Sequence, residues 1–178
     1  MEFPEILKSI ENKSTKVNHE LIWAYYFIFH LNNENSFDYE VEPGPNDLTD
    51  VYAKSKNRKF PVLKLQLTWA KEKDFSPKKV IKDLKFSTEI ILEAVKRKYE
   101  KFKKQGNADS LKEIILVIQG DLPNGWDDLV NDDKIKEEIT KYPFCGIYYI
   151  TPPGSKSSQK DRLPIMHNGF MLCFKNAF

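Results

Sequence analysis

The chain has little of what several specialised classes of protein need. Its only cysteines, Cys145 and Cys173, lie in apolar runs without CxxC spacing, which argues against a disulfide framework or a thiolate zinc site and reads them as reduced core thiols. Its three histidines are scattered; His19-Glu20 begins like HExxH, but position 23 is Trp, so a zinc-protease helix is excluded. With seven glycines it carries neither a Gly-rich phosphate loop nor a nucleophile elbow. The apolar run 21–31 falls short of the roughly 20 residues that span a bilayer. The opening MEFPEILKSIENK is too mixed in charge for a signal peptide, so no membrane association and a reducing cytoplasm are expected. An excess of one charge is missing too: 28 basic residues face 26 acidic ones, so any nucleic-acid role must rest on local patches.

What is present describes one globular domain over residues 1–178, with 40% hydrophobic and 30% charged residues. HELIWAYYFIFHL is apolar nearly all round, as in a buried helix. FDYEVE (37–42) reads as a strand stopped by the breakers PGPND, and TDVYAKS (49–55) as a second strand. Ser76-Pro77 is a good helix start, Gly106 a good stop, and between them Ile81, Leu84, Thr88, Leu92, Val95, Tyr99 and Phe102 keep helical spacing. KEIILVIQG (112–120) reads as a buried strand, WDDLVNDDKIKEEITKY as a helix and CGIYYI as a fifth strand. LPIMH and FMLCF flank Asn168-Gly169, a hairpin dipeptide. The fold class expected is α/β: a central mixed β-sheet flanked by helices, in the order α-β-β-β-α-β-α-β plus a C-terminal hairpin.

The third strand carries the sharpest pattern. In PVLKLQLTWAK (61–71), Leu63, Leu65, Leu67 and Trp69 share one face, while Lys64, Gln66 and Thr68 share the other. The apolar row is expected against the long helices. The polar row is expected to share a pocket with Asp50, at the start of the second strand, and Glu20, on the first helix. Taken singly, each has a plainer reading: a wet strand face, a turn aspartate, a glutamate favouring its helix dipole.

Together, this order of elements with Glu20, Asp50, Gln66 and Thr68 in these places resembles the PD-(D/E)XK, restriction-endonuclease-like superfamily over about residues 15–150. The resemblance implies a magnesium-dependent nuclease acting on DNA or RNA phosphodiester bonds, with Asp50, Glu20 and Gln66 as metal ligands. Thr68 stands where the family has lysine, a departure that also admits a catalytically inactive module binding nucleic acid or a protein partner. Lys64, on the same strand face, is the expected replacement ammonium. Lys71 and Lys79 are weaker substitutes, and Lys156, Lys160 and Arg162 are candidates for a phosphate-facing rim. The run KRKYEKFKK (96–104) reads as a solvated helix face, with the alternative that it joins Lys156, Lys160 and Arg162 in that rim. The sequence leaves a homodimer open.

Overall fold

The computed structural model describes residues 16–46, 48–70, 84–120, 133–151 and 170–178. In chain order these hold α1 (Lys16–Asn35), β1 (Tyr39–Asn46), β2 (Thr49–Ser55), β3 (Leu63–Trp69), α2 (Leu84–Lys104), a 3-10 turn (Ala108–Glu113), β4 (Ile114–Gln119), α3 (Asp133–Thr140), β5 (Gly146–Thr151) and β6 (Phe170–Lys175). The six strands form one mixed sheet in the order β1-β2-β3-β4-β5-β6. β3, β4 and β5 run parallel, and the pairs at either side are antiparallel. Parallel neighbours need crossovers, and the helical segments between β3 and β4 and between β4 and β5 provide them. The expected α/β class and element order are therefore observed. β6, the FMLCF strand, pairs antiparallel with β5, while LPIMH, its expected hairpin partner, and Asn168-Gly169 lie outside the described residues.

Strand periodicity sorts the core into two layers. Val51, Ala53, Leu65, Leu67, Ile115, Val117, Tyr148 and Ile150 point to one face, where Trp23, Ala24, Phe27, Ile28 and Leu31 of α1 cover them. Ile114, Leu116, Ile118, Ile147 and Tyr149 point to the other, against Ile91, Ala94, Val95 and Phe102 of α2 and Ile135 and Ile139 of α3. Because both faces of β4 and β5 are covered, their strands are buried along their whole length.

Some local expectations change. β1 runs on through Pro43, Gly44 and Pro45 with a register irregularity instead of stopping there. Among the described residues it is the outermost strand, where a proline whose missing N–H faces away from the ladder removes no bond. Gly44 passes so close to the Thr49 carbonyl that a Cβ would collide with it. Gly106 ends α2 at φ +73, the left-handed stop that a glycine accepts without steric cost. Cys145 and Cys173 are both free, but Cys173 is exposed, not buried. In β6 the alternating Leu172 and Phe174 take the inward positions and leave Cys173 exposed between them.

Candidate functional site

Asp50 and Gln66 meet across the β2–β3 pair. The ladder joins Val51 to Leu65. One residue beyond that pair, the Asp50 carboxylate accepts the Leu67 amide through Oδ2 at 2.7 Å, taking a main-chain donor as a strand partner would. Gln66 is 1% exposed and Thr68 5%. Their row faces α2, since β3 puts Leu65 and Leu67 under α1. The apolar row thus lies under the long helix α1, as expected, and the polar row lies beside Asp50 under the other long helix, α2.

From α2 comes the residue that the sequence reading did not single out. Lys98 donates from Nζ to Gln66 Oε1 at 2.7 Å, and the same ammonium stands 3.8 Å from Asp50 Oδ2. The lysine and aspartate side chains are only 17% and 18% exposed, so the pair is shielded far more than a surface salt bridge. Beside it Arg97 donates from Nη2 to the Trp69 carbonyl at 2.8 Å and stands 3.5 Å from Thr68 Oγ1. The basic run 96–104 is therefore not wholly a solvated face, because Arg97 and Lys98 turn onto β3. A signal existed: Ile91, Val95, Lys98 and Phe102 fall at i, i+4, i+7 and i+11, which places Lys98 inside the buried stripe of its helix.

Lys64 has a different partner. It is ion-paired with Glu113, just before β4, and that hydrogen bond raises the Lys64 pKa and lowers that of Glu113. It sits opposite Ile114 while Thr68 sits opposite Ile118, so it lies toward the other end of the strand, and both partners are exposed. Glu20, half-buried, belongs to the early part of α1, on the helix that covers the opposite face of the sheet. One turn on, Trp23 packs edge-on against Trp69 at 5.4 Å between centroids, so Glu20's helix begins near the end of β3 that carries Thr68. Asp50, Gln66 and Lys98 are thus brought into direct contact, with Thr68 and Arg97 adjoining them. Lys71, Lys79, Lys156, Lys160 and Arg162 lie outside the described residues.

Chemically, the site is an oxygen pair holding a cation. Among the described residues there is no group of three or more His, Cys, Asp or Glu arranged around a metal ion. One carboxylate and one amide oxygen converge there on the positive charge of Lys98. Among the described residues no helix is long and apolar enough to cross a membrane. No protein-family model, curated protein or solved structure matches the chain.

Proposed function

We propose that this chain is a divergent magnesium-dependent nuclease-like domain acting on phosphodiester bonds of DNA or RNA, with Lys98 supplying the ammonium that Thr68 cannot. The observation that carries this reading is the contact of Lys98 Nζ with both Gln66 Oε1 and Asp50 Oδ2. Asp50 and Gln66 would hold the cation, whose chemistry is to offset charge on the phosphate and make bound water a better nucleophile. Lys98 and Arg97 would place two positive charges beside that position to orient and neutralise the phosphate. Thr68, with a hydroxyl that stays neutral, keeps to a hydrogen-bonding role next to Arg97.

Linear, nicked and single-stranded DNA, and RNA, incubated with the protein under magnesium or manganese test the reading. Hydrolysis that disappears in both Asp50→Ala and Lys98→Met is expected. Hydrolysis of none of these substrates would remove the enzyme from consideration. A second reading, a non-hydrolysing module that binds nucleic acid or a protein partner on the same fold, is favoured by the occupied state of Asp50, already engaged by the Leu67 amide and by Lys98. Salt-sensitive retention of DNA or RNA without cleavage would identify its nucleic-acid form.

A further inference from the structure

The sheet face that carries Gln66 is covered unevenly. Its buried apolar residues come from β4, β5 and β6, under α2 and α3. On the β1–β2–β3 side the same face carries Glu40, Glu42, Tyr52, Lys54 and Lys64, all exposed or partly exposed. This leaves an open polar shelf beside α2. Its carboxylates are matched within it: Glu40 pairs with Lys56, Glu42 with Lys54, Glu113 with Lys64 and Asp50 with Lys98.

The flank of α2 that borders the shelf is not matched. Arg97 reaches Thr68 and the Trp69 carbonyl from that flank, and the exposed Lys101 and Lys104 follow it at i+4 and i+7. These three span roughly 10 Å of helix, and among the described residues none of them is ion-paired. The opposite flank has other company, since Tyr99 packs on Tyr142 at 5.4 Å and Lys103 lies over the Tyr99 ring. α2 leads through the 3-10 turn to Ile114, which pairs with Lys64. Lys101 and Lys104 therefore stand toward the end of β3 where Tyr52, partly exposed, lies between Glu42 on β1 and Lys64 on β3.

An unmatched positive stripe beside a partly exposed ring complements a chain that alternates negative charge with flat apolar surface. We propose that the shelf holds a single-stranded nucleic acid, its phosphates along Arg97, Lys101 and Lys104 and a base stacked on Tyr52. Every base has a π-face for such stacking, but a duplex keeps its bases stacked on one another and cannot offer one. The inference rests on the nucleic-acid reading above, and adds to it the strand state of the partner and the surface that holds it. It requires neither hydrolysis nor a metal.

Anisotropy of labelled oligo(dT) and oligo(U) of about 20 nucleotides, and of a duplex of the same length, titrated with the full chain in EDTA tests this. Both single strands should bind about fivefold or more tighter than the duplex, and Tyr52→Ala should weaken their binding by a similar factor, as loss of one stacked base does. Tyr52→Phe should keep it. Lys101→Gln with Lys104→Gln should flatten the log–log salt dependence by about 1.4, or 0.7 for each phosphate contact. Lys96→Gln with Lys103→Gln removes the same charge at i−3 and i+4 of Tyr99, on the other flank, and should leave that slope unchanged. Duplex bound as tightly as the single strands, equal effects of the two lysine pairs, or full affinity in Tyr52→Ala would each overturn the inference and leave the nucleic-acid reading standing. Binding of none of the three probes would overturn both. Binding as described by a chain that hydrolyses nothing would support the inference and remove only the enzyme.

Discussion

The two faces of β3 are built on opposite rules. Under α1, Leu65 and Leu67 join Phe27, Tyr148 and Val117 in a layer whose work is burial alone. Under α2, the same strand turns Gln66 and Thr68 inward at 1% and 5% exposure, where burying a polar group is costly unless it is bonded. The cost is met by Lys98, placed in the stripe of α2 that faces the sheet, and by Arg97 reaching Thr68 from an exposed position beside it. The difference gathers the costly polar contacts on one face of the strand, under α2.

That contrast can be broken from either side. The largest loss of stability is expected on the apolar face. Phe27 is fully buried and lies 5.0 Å from the Tyr148 ring, so Phe27→Ala should cost about 3–5 kcal/mol in urea or guanidinium unfolding. On the polar face Asp50→Ala should cost roughly 3 kcal/mol, because it leaves the largely buried Lys98 ammonium with only an amide oxygen from the pair. A loss as small as that of an exposed ion pair would show that the cluster is solvated.

Acid and alkali probe the α1 face separately. Burial lowers the His30 pKa, partly opposed by Glu34. A depressed value means that the folded state favours neutral imidazole. Its contribution is present above the ordinary value of 6.5 and is lost as pH falls below it. Denaturation midpoints of wild type and His30→Asn, compared between about pH 7 and 5, should converge toward acid; parallel curves would contradict this. Burial pushes the Tyr26 hydroxyl the other way, up from 10.0 to about 12. The folded state then keeps its proton longer than the unfolded chain, so stability is full below pH 10 and falls as pH rises toward 12. Tyr26→Phe should flatten that alkaline decline. The smallest effect is expected at Lys64: both it and Glu113 are exposed, and Lys64→Ala should leave the unfolding midpoint essentially unmoved.

Most of the fold was legible in the residues because period-2 and helical patterns report burial directly. The apolar rows of β3, β4 and β5 and the stop at Gly106 are where those patterns put them. β1 was harder to bound, since prolines end central strands but not edge strands, and edge position is a property of the whole sheet. The site was legible in half. Gln66 followed from strand alternation, and both it and Asp50 from their places in the family resemblance. Lys98 comes from a residue 32 positions beyond Gln66, and its basic neighbours read as surface until the spacing with Val95 and Phe102 is counted. Lys64 was the natural choice on the strand itself, but parity gives only the face. Its two-residue offset toward Glu113 decides its partner.

The most direct measurement of the central claim is a matched comparison of nucleic-acid hydrolysis, under magnesium or manganese, by wild type, Lys98→Met and Lys64→Met. With Lys98 as the site's ammonium, Lys98→Met should lower the rate by a factor on the order of 10² or more, as removal of a positioned cationic donor does, while Lys64→Met keeps wild-type activity. Activity retained in Lys98→Met and lost in Lys64→Met would contradict the account.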